Sequence, residues 1–142
     1  MKEIYVLVGM DGVYLQCLRK IKRIESEIEK IYRADNRKRM EELGKEKSEY
    51  LIPQYWMGPK TIAYFETQDD AVKFLEENGD QASEERYTMM IIEKHPVGSW
   101  DYLHHVEEPL FYEYYYKGST GESGFREIQR PEYLIGSCNF AS

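Results

Sequence analysis

The chain has 142 residues and a net charge of −7, from 19 Lys and Arg against 26 Asp and Glu, a length that fits one domain of the usual ~100–200 residues. Leu, Ile, Val and Phe supply only 31 residues, about 22% of the chain and just above the ~20% at which high charge signals disorder, so the core must draw on tyrosine, of which there are 13. No apolar run approaches the ~20 residues that span a bilayer, the N-terminal MKEIYVLVGM has too short an apolar stretch for a signal peptide, and Cys17 and Cys138 lack the spacing of a disulfide framework or thiolate metal site. A cytoplasmic protein with no membrane partner is expected.

Charge is uneven. Residues 1–50 carry a balance of +2 and residues 51–142 one of −9. Phosphate binding depends on Lys and Arg, so duplex nucleic acid is not expected as a partner of the acidic part, and a basic or protein surface suits it better.

In chain order, Ile4-Tyr5-Val6-Leu7-Val8 reads as a central strand buried on both faces and closed by Gly9-Met10-Asp11-Gly12. Tyr14, Cys17, Ile21, Ile24, Ile28 and Ile31 then form a heptad seam on a helix. The seam fails after Ile31, and Met40, Leu43 and Tyr50 begin a second stripe about half a turn out of phase. Two helices over 14–50 are expected, meeting near Ala34-Asp35-Asn36 with Asp35 as a cap; one protruding helix is the alternative. Residues 51–60, with two prolines and a glycine, read as an irregular connection. A strand over 61–66 leads through the capping pattern of Thr67 and Asp70 into a helix at 68–78, ended by Gly79 in the left-handed conformation. The strand 87–93 completes a strand, helix, strand unit, whose strands are parallel neighbours by the usual crossover rule or antiparallel in an α+β arrangement. After a long loop holding Trp100, Tyr102, His104 and His105, residues 111–130 form a tyrosine-rich β-hairpin whose tip carries Gly118, Gly121 and Gly124.

The passage TIAYFETQDDAVKFLEEN followed by YTMMIIEKH resembles small proteins of phage and bacterial genomes in which a strand ending in F-x-T leads into an A-x-x-F/Y helix. The resemblance covers residues 61–95 and carries no catalytic residue, since Phe65 and Phe74 pack and Thr67 caps. What it implies is a setting, that of accessory or host-takeover factors.

Candidate chemistry is sparse. His95, His104 and His105 with Glu107 and Glu108 lack metal-ligand spacing, and adjacent histidines point different ways in regular structure. They read as loop histidines, so neither a metal nor a cofactor is expected. Cys138 as a nucleophile requires a depressed thiol pKa that the sequence does not supply. The glycines at 118–124 sit between strands and do not open a helix as in a phosphate-binding loop. Two features stand above these. The seam of Cys17, Ile21, Ile24, Ile28 and Ile31 serves either internal packing or self-association. In the aromatic strand Tyr112, Tyr114 and Tyr116 share one face, while Phe111, Tyr115 and Lys117 share the other. Either the first face is core, or with Trp100, Tyr102 and Arg126 it is a recognition surface. Arg33, Arg37, Lys38 and Arg39 form a candidate anion site or a solvated helix junction.

The expectation is one α+β domain over 1–142, with a mixed sheet of about five strands, a helical insertion at 14–50 and a helix at 68–78. The expected function is non-catalytic binding by a homo-oligomer that inhibits a host protein, as a phage counter-defence factor would. The alternatives are sequestration of a small nucleotide and, third, a small enzyme using His104 or Cys138.

Overall fold

A computed structural model describes residues 3–32, 36–97, 108–134 and 140, with the backbone alone for 52–56. The elements run β1 (Glu3–Asp11), α1 (Gly12–Ile31), α2 (Arg37–Met57), β2 (Lys60–Phe65), α3 (Gln68–Glu77), α4 (Gly79–Glu84), β3 (Tyr87–Pro96), β4 (Leu110–Lys117) and β5 (Glu122–Ile128), followed by a 3₁₀ turn at Glu132–Leu134. The fold is α+β. Contacts divide the chain into two compact units, residues 1–12 with 59–142 and residues 13–58, so the helical insertion forms a unit of its own.

The first unit is built on a five-stranded sheet of order β2-β1-β3-β4-β5. Every pairing is antiparallel, where a mixed sheet was expected. The reason lies in β1, which pairs with β2 on one side and β3 on the other. The crossover through α3 and α4 therefore joins two strands that run parallel but are separated by β1, a split β-α-β arrangement. The prediction that β1 is central and covered on both faces holds, with Val6, Leu7, Val8 and Met10 all buried.

Antiparallel partners point to the same face, so the register sorts the side chains. On one face Leu7, Met90, Ile92 and Tyr112 form the core with Ala71 and Leu75 of α3, and Tyr5, Phe65, Phe74, Ala82, Tyr87 and Phe125 pack around them. On the other, Val6, Val8, Met10, Met89, Ile91, Phe111 and the polar pair Glu93 and His95 are buried. Phe140 meets Phe111 there edge to face at 5.9 Å, and the Arg130 guanidinium lies over both rings, 5.0 Å from Phe111 and 5.8 Å from Phe140.

Local chemistry sets the connections. Thr67 caps α3 as predicted, its hydroxyl accepting from the Asp70 amide at 3.1 Å. Gly79 differs from expectation: it opens α4 instead of adopting a left-handed cap. Between α4 and β3 the left-handed conformation falls on Arg86, at φ 70°, whose carbonyl accepts the Gly12 amide at 3.2 Å.

The second unit is a helical hairpin, which decides for two helices. Asn36, and not Asp35, caps α2, its side chain accepting from the Arg39 amide at 3.2 Å. The helix continues through Pro53 to Met57, over residues whose prolines and glycine had suggested an irregular connection. Ile24 and Leu43 are fully buried. Arg39 donates to Glu27 Oε1 from Nε at 3.0 Å and Nη2 at 2.6 Å; Arg23 pairs with Glu46 and Lys47 with Glu25, and the Lys20 ammonium sits 4.8 Å above the Tyr50 ring. No described helix is long and apolar enough to cross a membrane.

Candidate functional site

Among the described residues, the sheet unit has a cleft of about 260 Å³ lined by Leu7, Ile62, Phe74, Leu75, Asn78, Gln81, Ala82, Glu85, Tyr87 and Met90. Each wall follows from a local feature of the sequence. The floor is the sheet, where Leu7 and Met90 point up from β1 and β3. Phe74 and Leu75 come from α3 and Ala82 from α4. The two short helices change direction at Asn78, whose side-chain amide donates to the Phe74 carbonyl at 2.8 Å while its backbone amide donates to the same oxygen at 3.0 Å. At the edge, β2 carries a bulge: Leu7 pairs with Ala63 but Val8 pairs with Thr61. The extra residue is Ile62, and a bulge of this kind re-aims a side chain, here to the rim of the cleft.

Tyr87 forms the remaining wall. Its ring occupies the space above Gly9, where a Cβ would come within 2.8 Å of Cδ1; only the absence of a side chain at that point of β1 leaves room for it. Burial is the main cause that raises the Tyr87 phenol above its ordinary pKa, and the carboxylates of Glu85 and Asp11 add to it. Tyr112 is raised in the same sense, by burial first and then by Glu127 and Glu76. Residues 68–87 hold seven Asp and Glu against two Lys and Arg, and the charged side chain among the lining residues is Glu85. Chemically, the cleft offers an apolar floor, neutral hydrogen-bonding groups at Asn78 and Gln81, and a carboxylate at the mouth.

Among the described residues, those singled out from sequence do not line this cleft. Tyr112 is core, 9% exposed, and packs with Leu7, Leu75 and Met90. Tyr114 is half-buried against Phe125, ring centres 5.7 Å apart, and Tyr116 is exposed. The proposed recognition row thus runs from core to solvent along one strand. Arg126 is engaged by Glu113, its Nε and Nη2 donating to Oε1 at 3.0 and 2.8 Å, and lies 5.7 Å from the Tyr115 ring on the other face. In the candidate anion site Arg39 is held by Glu27 and Glu42, while Arg37 and Lys38 are exposed. Cys17, Ile21 and Ile24 of the seam are buried in the single chain, and Ile28 and Ile31 half-buried, as the internal-packing alternative for this seam expects. Trp100, Tyr102, Arg33, His104 and Cys138 lie outside the described residues.

One buried polar locus went unread in the sequence. Glu93, in the apolar run of β3, is fully buried; its Oε2 accepts the Phe140 amide at 2.9 Å and its Oε1 lies 3.7 Å from His95 Nε2. Beside it Arg130 donates to both oxygens of Glu108, at 2.6 and 3.3 Å, and to the Leu134 carbonyl at 2.8 Å. These groups anchor the C-terminal segment to the sheet. Among the described residues, no group of three or more His, Cys, Asp or Glu is placed to hold a metal ion.

The cleft residues carried a faint signal. Phe74, Asn78 and Ala82 recur four residues apart, continuing the apolar stripe of α3 past the polar-looking segment. No family model matches the chain, and neither the curated proteins nor the solved structures contain a match.

Proposed function

We propose that this is a non-catalytic binding protein whose site is the cleft between α3–α4 and the sheet. The observation that supports the reading is a cleft lined mostly by apolar side chains with a few polar ones, Asn78, Gln81 and Glu85, the usual make-up of a binding pocket. The sequence had placed recognition on Tyr112, Tyr114 and Tyr116; the burial of Tyr112 favours the opposite side of the same core. An anionic nucleotide suits this site poorly, because Glu85 stands at its mouth and at about 260 Å³ it falls below the ~300–1,000 Å³ of most ligand pockets.

The test is ligand-observed NMR with N-acetyl-tryptophanamide, an uncharged large apolar side chain. Saturation transfer from the protein is expected, and it is expected to vanish in Ala82→Phe, which fills the cleft, and to weaken in Ile62→Glu at the exposed rim. Equal transfer in wild type and both folded variants would overturn the assignment.

A further inference from the structure

We infer that the occupant of the cleft is a segment of a partner protein in which one large apolar side chain is flanked by lysine or arginine. The inference rests on the preceding reading of the cleft as the binding site and names what enters it. Size is the first argument: about 260 Å³ matches one large side chain better than a whole drug-sized ligand, which takes ~300–1,000 Å³. The remainder of a larger ligand must lie outside the cleft, along a rim formed by β2 on one side and α3 and α4 on the other.

That surface is acidic. Asp80, Glu84 and Glu85 lie on or directly after α4, and Glu76 and Glu77 end α3. Of these, Glu85 lines the cleft itself, and after burial it is Glu85 and Asp11 that raise the Tyr87 phenol in the cleft wall. A chain that inserts an apolar anchor between Phe74 and Tyr87 meets the Glu85 carboxylate in the cleft lining, with Glu84 next to it in sequence. Complementary charge there speeds encounter and rejects acidic competitors, while the anchor supplies most of the affinity. A neutral small molecule would leave the carboxylates without a role, and an acidic peptide would meet like charge.

The experiment measures fluorescence anisotropy with three labelled peptides that share a tryptophan anchor: Lys-Lys-Trp-Lys-Lys, Ser-Ser-Trp-Ser-Ser and Glu-Glu-Trp-Glu-Glu. The lysine peptide is expected to bind about five- to tenfold more tightly than the serine peptide at low ionic strength, with the difference shrinking toward none in about 1 M salt, and the glutamate peptide most weakly. In the Glu84→Gln, Glu85→Gln double variant the lysine and serine peptides should converge. Equal binding of all three would overturn the charge argument while leaving the cleft as the site. Failure of all three, together with N-acetyl-tryptophanamide, would overturn both readings. A dimer in light scattering that Ala82→Phe dissociates would replace the partner segment with a second copy of this chain and so contradict the inference.

Discussion

A carbon placed on Gly9 would stand 2.8 Å from Cδ1, 2.9 Å from Cγ and 3.0 Å from Cε1 of Tyr87. The ring thus covers the backbone of β1, and the cleft exists because it does. Gly9→Ala must push the ring, and the contact is with its rigid body, not with a flexible end. Overpacking of this kind costs about 1–3 kcal/mol. Urea denaturation is expected to show a loss in that range, and the displaced ring should also weaken binding of N-acetyl-tryptophanamide. Unchanged stability and binding would show that Gly9 is not what positions Tyr87.

The tyrosines of β4 should separate by depth. Tyr112 is 9% exposed and Tyr116 65%. Tyr112→Ala is expected to cost about 3–5 kcal/mol, as large aromatic-to-alanine changes in cores do, and Tyr116→Ala to stay within about 0.5 kcal/mol of wild type. Denaturant midpoints check both.

Burial and nearby carboxylates raise Tyr87 and Tyr112, so both favour the neutral phenol in the folded state. The unfolded chain releases these protons near the ordinary tyrosine pKa of about 10, before the folded protein does. Their contribution to stability is therefore complete below pH ~10 and is lost as pH rises from there through the raised folded values. Urea midpoints measured from pH 9 to 11.5 should fall above pH ~10, and Tyr112→Phe should flatten the fall.

Glu93 gives a further contrast. Its carboxylate accepts the Phe140 amide at 2.9 Å in a fully buried position, and leaving a buried amide without an acceptor costs about 1–3 kcal/mol. Glu93→Ala is expected to lose at least that much and to speed hydrogen exchange at Phe140. Glu93→Gln, which keeps an acceptor oxygen, should lose less. Identical exchange in wild type and Glu93→Ala would separate Glu93 from the anchoring of the C-terminal segment.

In the helical hairpin, Ile24 is fully buried, whereas the Arg39–Glu27 pair is about 39% exposed on both sides. Ile24→Ala should cost about 2–5 kcal/mol and Glu27→Ala at most about 1 kcal/mol. Helicity by circular dichroism during thermal melting checks the pair. A folded, fully helical Ile24→Lys variant of reduced mass would favour the self-association reading of the seam over internal packing.

Much of the fold was legible because strong local signals agreed with it. The apolar run of β1, the Thr67 cap and the seam through Cys17, Ile21 and Ile24 each appeared as the sequence suggested. Pairing direction was not legible, since β1 enters between β2 and β3 from far upstream and no local pattern records that. The site was harder still. Its walls come from β1, β2, α3, α4 and β3, and its residues look like ordinary core one at a time. Glu93 was hidden for the converse reason: a carboxylate at the end of an apolar strand reads as its exposed terminus until the Phe140 amide, 47 positions away, is seen to meet it.

The most direct test of the binding assignment is an amide chemical-shift map of the labelled protein titrated with N-acetyl-tryptophanamide. The account predicts saturable shifts concentrated at Leu7, Ile62, Phe74, Asn78, Ala82 and Tyr87, and none beyond background at Tyr116 or Arg126. Shifts centred on the β4–β5 hairpin, with the cleft silent, would contradict it and return recognition to the tyrosine strand.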